Sequence, residues 1–237
     1  MNRTVLRLST QALFGRRRGV VLLLIAGALL VLAVLVRLLT DEEVGVEAVV
    51  GLGFTLAMPL VALLSATAVL GPEIDDGSVV YLLAKPVDRH VIARSKFAAA
   101  WGATMALGAL PVALAALVMD PSRVGRAAAI GVGAAVAGTV YTALFLALAA
   151  LTRHAVVVGL LFVLVWEGVL GSVFAGVRWL SVGGWGWAVA GGISPPPDST
   201  GPTVSVWYAV VASALLAGGT LWFTGDRLRS FTLRGDE

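Results

Sequence analysis

Apolar blocks of membrane-crossing length recur from one end of the chain to the other, at about 19–39, 46–70, 97–119, 127–151, 155–175 and 204–224. A hydrocarbon core about 30 Å thick needs about 20 helical residues at a rise of 1.5 Å each. Within lipid a lone segment satisfies its backbone N–H and C=O groups only as a helix. The expectation is therefore an all-α integral membrane protein of six transmembrane helices, forming one membrane domain over residues 1–237. Charged residues make up only 13% of the chain and the mean hydropathy is +0.94, whereas soluble domains are about a quarter charged. What lies between the blocks is too short to build a sizeable soluble domain.

The basic residues set the expected orientation. Arg3, Arg7, Arg16, Arg17 and Arg18 precede the first block; Lys85, Arg89, Arg94 and Lys96 lie between the second and third; Arg153 follows the fourth; Arg227, Arg229 and Arg234 follow the sixth. Placing all of these inside leaves only Arg37, Arg123, Arg126 and Arg178 outside, so the positive-inside rule puts both termini in the cytoplasm. The expected location is the plasma (inner) membrane, crossed several times. These arginines flank apolar blocks instead of forming a patch with exposed aromatics, so the pI near 9.8 does not imply nucleic acid. The first block is longer than a signal-peptide core and runs into Asp41-Glu42-Glu43 without a small-x-small cleavage site, so it reads as a retained span.

Before it, Met1 to Phe14 place Val5, Leu6, Leu8, Ala12 and Leu13 opposite Arg3, Arg7 and Gln11. This is the pattern of an interfacial amphipathic helix over residues 1–18, its arginines among lipid headgroups; a frayed cytosolic tail is the alternative. Pro59, inside the second block, removes a backbone donor and should kink that helix. Pro111 lies in the third block, and Asp120-Pro-Ser-Arg123 makes a tight turn into the fourth. Small residues at Ala98, Gly102, Ala106 and Ala109, then Gly131, Gly133, Ala135 and Gly138, read as close helix packing. Residues 176–203 hold Trp179, Trp185 and Trp187, a run of glycines and Ser194-Pro-Pro-Pro. Two readings are open: a short helix lying at or re-entering the outer interface, where indoles collect, or a plain extracellular loop. No internal repeat is visible, so the inverted repeat of many secondary transporters is missing.

Gly-x-x-x-x-Gly-Lys-Ser/Thr, His-Glu-x-x-His and Gly-x-Ser-x-Gly are absent, and there is no cysteine. The two histidines, His90 and His154, are isolated at the expected cytosolic interface and read as solvated. No metal or cofactor site is expected in this chain. One acid lies at depth, Glu167 in Val165-Trp-Glu-Gly168. A carboxylate there is costly, so it faces a cavity, a partner chain or a paired donor, or stays protonated. Its functional reading is a proton or substrate contact; its structural reading is a hydrogen bond between helices or exposure near the interface.

The residues between the second and third blocks, 71–96, concentrate polar chemistry. Gly71-Pro72 should end the second span. Glu73, Asp75 and Asp76 would then open a short helix, at the end where its dipole favours acids. Val79, Val80, Leu82 and Leu83 would give it an apolar side, and Pro86 would stop it. An amphipathic helix of this kind lies on a bilayer or inserts into a groove on a cytosolic partner. The run Lys85, Arg89, Arg94, Lys96 leads back to the headgroups.

In Glu73, Asp76-Gly77-Ser78, Leu82-Leu83, Lys85-Pro86-Val87, Arg89 and Lys96 the chain resembles the permease subunits of ABC-2 type ATP-binding-cassette transporters. Its short loops make it similar to the compact NosY-like members. Asp88 stands where Ser is frequent in that class. The resemblance implies a transport subunit with no catalysis of its own, its partners being a separate ATP-binding-cassette ATPase, which holds ATP and Mg, and a second permease copy or a related permease. It implies export, and it makes Glu73, Asp76, Gly77, Leu82, Leu83, Lys85, Pro86 and Arg89 the residues of a cytosolic coupling helix. The competing expectations are an ATP-independent carrier or channel, and an intramembrane enzyme using Glu167.

Overall fold

The computed structural model describes residues 16–39, 42–75, 89–170, 175–195 and 204–230, and every regular element among them is helical. α1 is Arg16–Leu39. α2 is built of Glu42–Leu52, a π-helical turn at Gly53–Ala57, and Met58–Asp75. α3 repeats that construction with Arg89–Thr104, a π turn at Met105–Ala109, and Leu110–Met119. α4 is the unbroken helix Val124–Leu151. α5 begins as Ala155–Leu161 and continues in π conformation over Phe162–Leu170. A 3₁₀ segment, Ala175–Leu180, precedes the short helix α6, Val182–Ile193, and α7 is Val206–Ser230.

Five of these helices, α1, α2, α3, α4 and α7, are long and apolar enough to cross a membrane. The expected fifth span, Ala155 to Ala175, differs. Its described helix ends at Leu170, more than half of it in π conformation, and Ala175 already belongs to the 3₁₀ segment. α3 starts at Arg89, eight residues ahead of the expected Phe97, because the polar His90, Arg94 and Lys96 extend the helix without being apolar. Nor does Gly71-Pro72 end α2, which runs on to Asp75. Glu73 and Asp75 therefore sit in the last turn of a long helix, not the first turn of a new one. Residues 76–88 and 1–15 lie outside the described residues, and with them the coupling helix proper and most of the expected interfacial helix.

Helix ends meet in a consistent pattern. An Arg37 guanidinium N–H of α1 donates to the Val118 carbonyl at the C-terminal end of α3, supplying a donor to a helix end that lacks one. Gly225 of α7 packs directly on the His90 ring at the start of α3: a Cβ there would lie 2.1 Å from Nδ1. One end of the bundle, called proximal here, thus collects the start of α1, the connection between α2 and α3, and the ends of α4 and α7. The opposite, distal end carries the turn between α3 and α4, closed by Arg123 N–H on the Asp120 carbonyl at 3.4 Å.

The core sits around α4, the most enclosed of the span-length helices, whereas α7 shows most of its surface. Small residues decide the approach of neighbours. A Cβ on Gly133 would stand 2.2 Å from the Gly186 carbonyl oxygen, and one on Gly186 2.7 Å from the Gly133 oxygen, so α4 and α6 touch backbone to backbone. Gly131 and Gly138 are close-packed as well, against Ala113 and against Met105 and Met58. Gly102 is not a packing residue: nothing lies within 4 Å of its would-be Cβ.

Candidate functional site

α6 fixes the geometry of the deepest polar site. Its first turn lies beside Tyr141, near the middle of α4, and its last turn reaches Arg126 and Ile130 at the distal end. Twelve residues at 1.5 Å each give about 18 Å, too short to cross a bilayer. The segment between α5 and α7 is therefore not a plain loop in its described part: it holds a helix whose N-terminus is buried at mid-bundle. The first N–H groups of any helix have no partner within it, and at this depth there is little water to serve them.

Glu167 and Ser181 supply that need. Ser181, the N-cap, accepts from Gly184 N–H at 2.9 Å and donates from Oγ to Glu167 Oε2 at 2.6 Å. Val182 N–H donates to Glu167 Oε1 at 2.9 Å. Both carboxyl oxygens accept, at the helix end whose first N–H groups have no partner within the helix. Glu167 is only 2% exposed. Of its expected environments, the structure shows the paired donor.

Tyr141 closes the site. Its hydroxyl is fully buried, 3.3 Å from where a Gly183 Cβ would stand, while Glu167 Oε2 is 3.4 Å from the same point. The hydroxyl lies within electrostatic reach of Glu167 but makes no hydrogen bond of good geometry. Gly183 is thus held by lack of space between a carboxyl, a phenol and the Phe54 carbonyl, whose oxygen would be 3.2 Å from a Cβ there. This arrangement holds the start of α6 in place. It brings up no second acid as a catalytic partner, and the described residues contain no cluster of three metal-ligating side chains.

Beside it, an apolar groove of about 490 Å³ runs between α5 and α7, walled by Phe162, Trp166, Leu215 and Leu216 and floored by Val182 and Trp185. Trp166 stacks on Phe162 at 6.3 Å. The tryptophans expected at the interface divide: Trp179 is exposed, Trp185 is buried with its Nε1–H donating to the Trp179 carbonyl at 2.8 Å, and Trp187 meets Phe54 edge to face at 5.5 Å.

At the proximal end, Lys96 is a correction. It does not reach the headgroups but is 1% exposed, its Nζ donating to the Val69 carbonyl of α2 at 2.8 Å, and so clamps α3 to the end of α2. Glu73 lies in the last turn of α2 and Arg89 is the first residue of α3, so these two flank the connection. Asp76, Gly77, Leu82, Leu83, Lys85 and Pro86 lie outside the described residues. His154 is exposed, as expected, but His90 is half-buried against α7.

The sequence points to Glu167 but not to Ser181 and Tyr141 beside it, nor to the separate buried contact of Lys96 at the proximal end. A signal for Ser181 was present, since serine directly before a helix is a favoured cap, but Gly183-Gly184 hid the helix. No protein-family model and no curated protein matches the chain.

Proposed function

We propose that the chain is the membrane subunit of an ABC-2 type ATP-driven transporter, working as an exporter in the plasma membrane with both termini in the cytoplasm. In this reading six crossings are completed by α5 with the residues after Leu170, and α6 re-enters from the outer face. Two copies pair, and each docks a separate ATPase subunit through residues 73–89. The chain itself is not an enzyme. ATP and Mg belong to the ATPase.

One observation carries the proposal. The stretch Glu73, Asp76-Gly77-Ser78, Leu82-Leu83, Lys85-Pro86, Arg89 joins two membrane-length helices at the end of the bundle where α1 begins and α7 finishes. Force applied there reaches α2 and α3 together, because Lys96 ties α3 to Val69 of α2. Leu82 and Leu83 serve as apolar anchors, and Glu73, Asp76 and Arg89 as charge-assisted contacts to the ATPase. Membrane complexes purified through a tag on this chain are expected to contain an ATPase subunit. Glu73→Lys and Leu83→Asp should each lose it while the chain stays inserted, and unchanged co-purification of both variants would sink the proposal.

A further inference from the structure

Two helices of this bundle are broken in the same way at the same level. In α2 the Met58 N–H donates to the Gly53 carbonyl, five residues back, and Pro59 follows. In α3 the Leu110 N–H donates to the Met105 carbonyl, again five back, and Pro111 follows. The cause is common to both. A proline in a helix has no N–H for the carbonyl four residues before it, and its ring collides with that carbonyl. For Pro59 and Pro111 those carbonyls are Thr55 and Leu107, and each lies inside the widened turn that relieves the collision. The kink expected at Pro59 thus takes the form of a π turn, and Pro111 has its twin.

The two breaks interlock. Gly53 of the first packs against Val112, just past Pro111, and Gly108 of the second packs against Met58, just before Pro59. Met58 and Met105 fill the space around the breaks, both against Gly138 of α4. Methionine is unbranched and refills irregular gaps as neighbours shift. The third π segment, Phe162–Leu170 of α5, lies at this level too, and Glu167 in it reaches the first turn of α6 beside the Phe54 carbonyl. α4 passes through unbroken.

We infer that this level is a built-in bending plane. The proximal halves of α2 and α3 tilt as one body against α4, their distal halves stay with α1, and the methionines at 58 and 105 repack as they move. The hydrogen bond from Thr142 Oγ1 to Thr104 Oγ1, 3.0 Å long and one residue from the α3 break, marks the pivot. Lys96 on the Val69 carbonyl keeps the two moving halves together. The inference concerns this chain by itself and does not rest on the ATPase reading. A chain that bends but binds no ATPase would keep this inference and lose that one.

The chain has no cysteine, so spin labels can be placed without removing native residues. One pair, Arg94→Cys with Leu151→Cys, spans α3 and α4 proximal to the plane; the other, Leu114→Cys with Ala128→Cys, spans them distal to it, and all four positions are exposed. Electron–electron dipolar spectroscopy on the full chain in lipid nanodiscs should show a distance distribution at least twice as broad for the proximal pair. Pro111→Ala restores a donor to the Leu107 carbonyl and should narrow the proximal distribution to the distal width. Gly108→Ala is a second route should Pro111→Ala not fold. Its Cβ would press on the flexible Met58 side chain, at 2.8 Å, with Val61 and Thr104 at ordinary contact distance, and take up the slack. Equal widths for the two pairs in the unsubstituted protein, or a proximal width that a folded variant leaves unchanged, overturns the inference.

Discussion

Removing the Glu167 side chain should be among the most damaging single changes in this bundle, and the size of the effect follows from its partners. Glu167→Ala deletes the acceptor of the Ser181 hydroxyl at 2.6 Å and of the Val182 N–H at 2.9 Å. Each buried donor left without an acceptor costs about 1–3 kcal/mol, so the loss is about 2–6 kcal/mol. Glu167→Gln keeps one oxygen and turns an amide N–H₂ toward a donor, so it should cost about half as much, roughly 1–3 kcal/mol. Ser181→Ala removes one of the same bonds together with the cap on Gly184. The Glu167→Ala/Ser181→Ala double variant should therefore cost clearly less than the two single losses added. Unfolding of the reconstituted chain by SDS titration or steric trapping gives these values. Fluorescence of Trp185 and Trp187, both on α6, reports whether the short helix leaves the bundle first. A Glu167→Ala variant within about 1 kcal/mol of the parent chain, no more than the cost of a single unsatisfied donor, would refute the role given to Glu167 in holding α6.

Other consequences separate positions that look alike in the sequence. Gly133→Ala places a methyl 2.2 Å from the rigid Gly186 carbonyl and should cost about 1–3 kcal/mol by forcing α4 and α6 apart. Gly102→Ala faces open space and should be neutral or gain up to about 1 kcal/mol from helix propensity; the same unfolding assay compares them. Lys96→Met keeps the length of the side chain but loses the charged bond to the Val69 carbonyl, a loss of about 1.5–3 kcal/mol that thermal unfolding reads as a lower midpoint. In the distal turn the Ser122 hydroxyl, donating at 2.6 Å, holds the Asp120 carboxyl below its ordinary range, with the nearby Arg123 acting in the same direction against burial. A depressed carboxyl stabilises the fold fully above its unfolded value of about 4 and loses that contribution as pH falls through the folded value. Asp120→Asn should therefore flatten the decline in thermal midpoint below about pH 4.

What could be read beforehand divides along physical lines. α1, α2, α4 and α7 announce themselves because lipid demands long apolar runs, and their cores fall where the hydropathy placed them. α3 was legible only from Phe97 onward, since Arg94 and Lys96 signal a membrane edge to any hydropathy reading while the helix passes beneath them and turns Lys96 inward. α5 and α6 were the least legible. A helix of 12 residues with glycines at 183, 184, 186, 191 and 192 resembles a loop until its neighbour is known, and those at 183 and 186 are there to admit Tyr141, Glu167, Phe54 and Gly133. Glu167 showed that something polar had to wait at depth, yet the partner was a helix end 14 residues further on, which no spacing rule reaches. The π turns carry no signature of their own; only the prolines that require them are visible.

The proposed grip of an ATPase on residues 73–89 is open to a direct test. A photocrosslinking amino acid placed at Leu83, and separately at Val87, in the full chain in native membranes tests it without requiring the docked state to survive purification. The expected result is a covalent adduct with one ATP-binding protein, formed from Leu83 and suppressed by Glu73→Lys. Adducts only to lipid, or only to another copy of this chain, with the same pattern in the Glu73→Lys background, would contradict it.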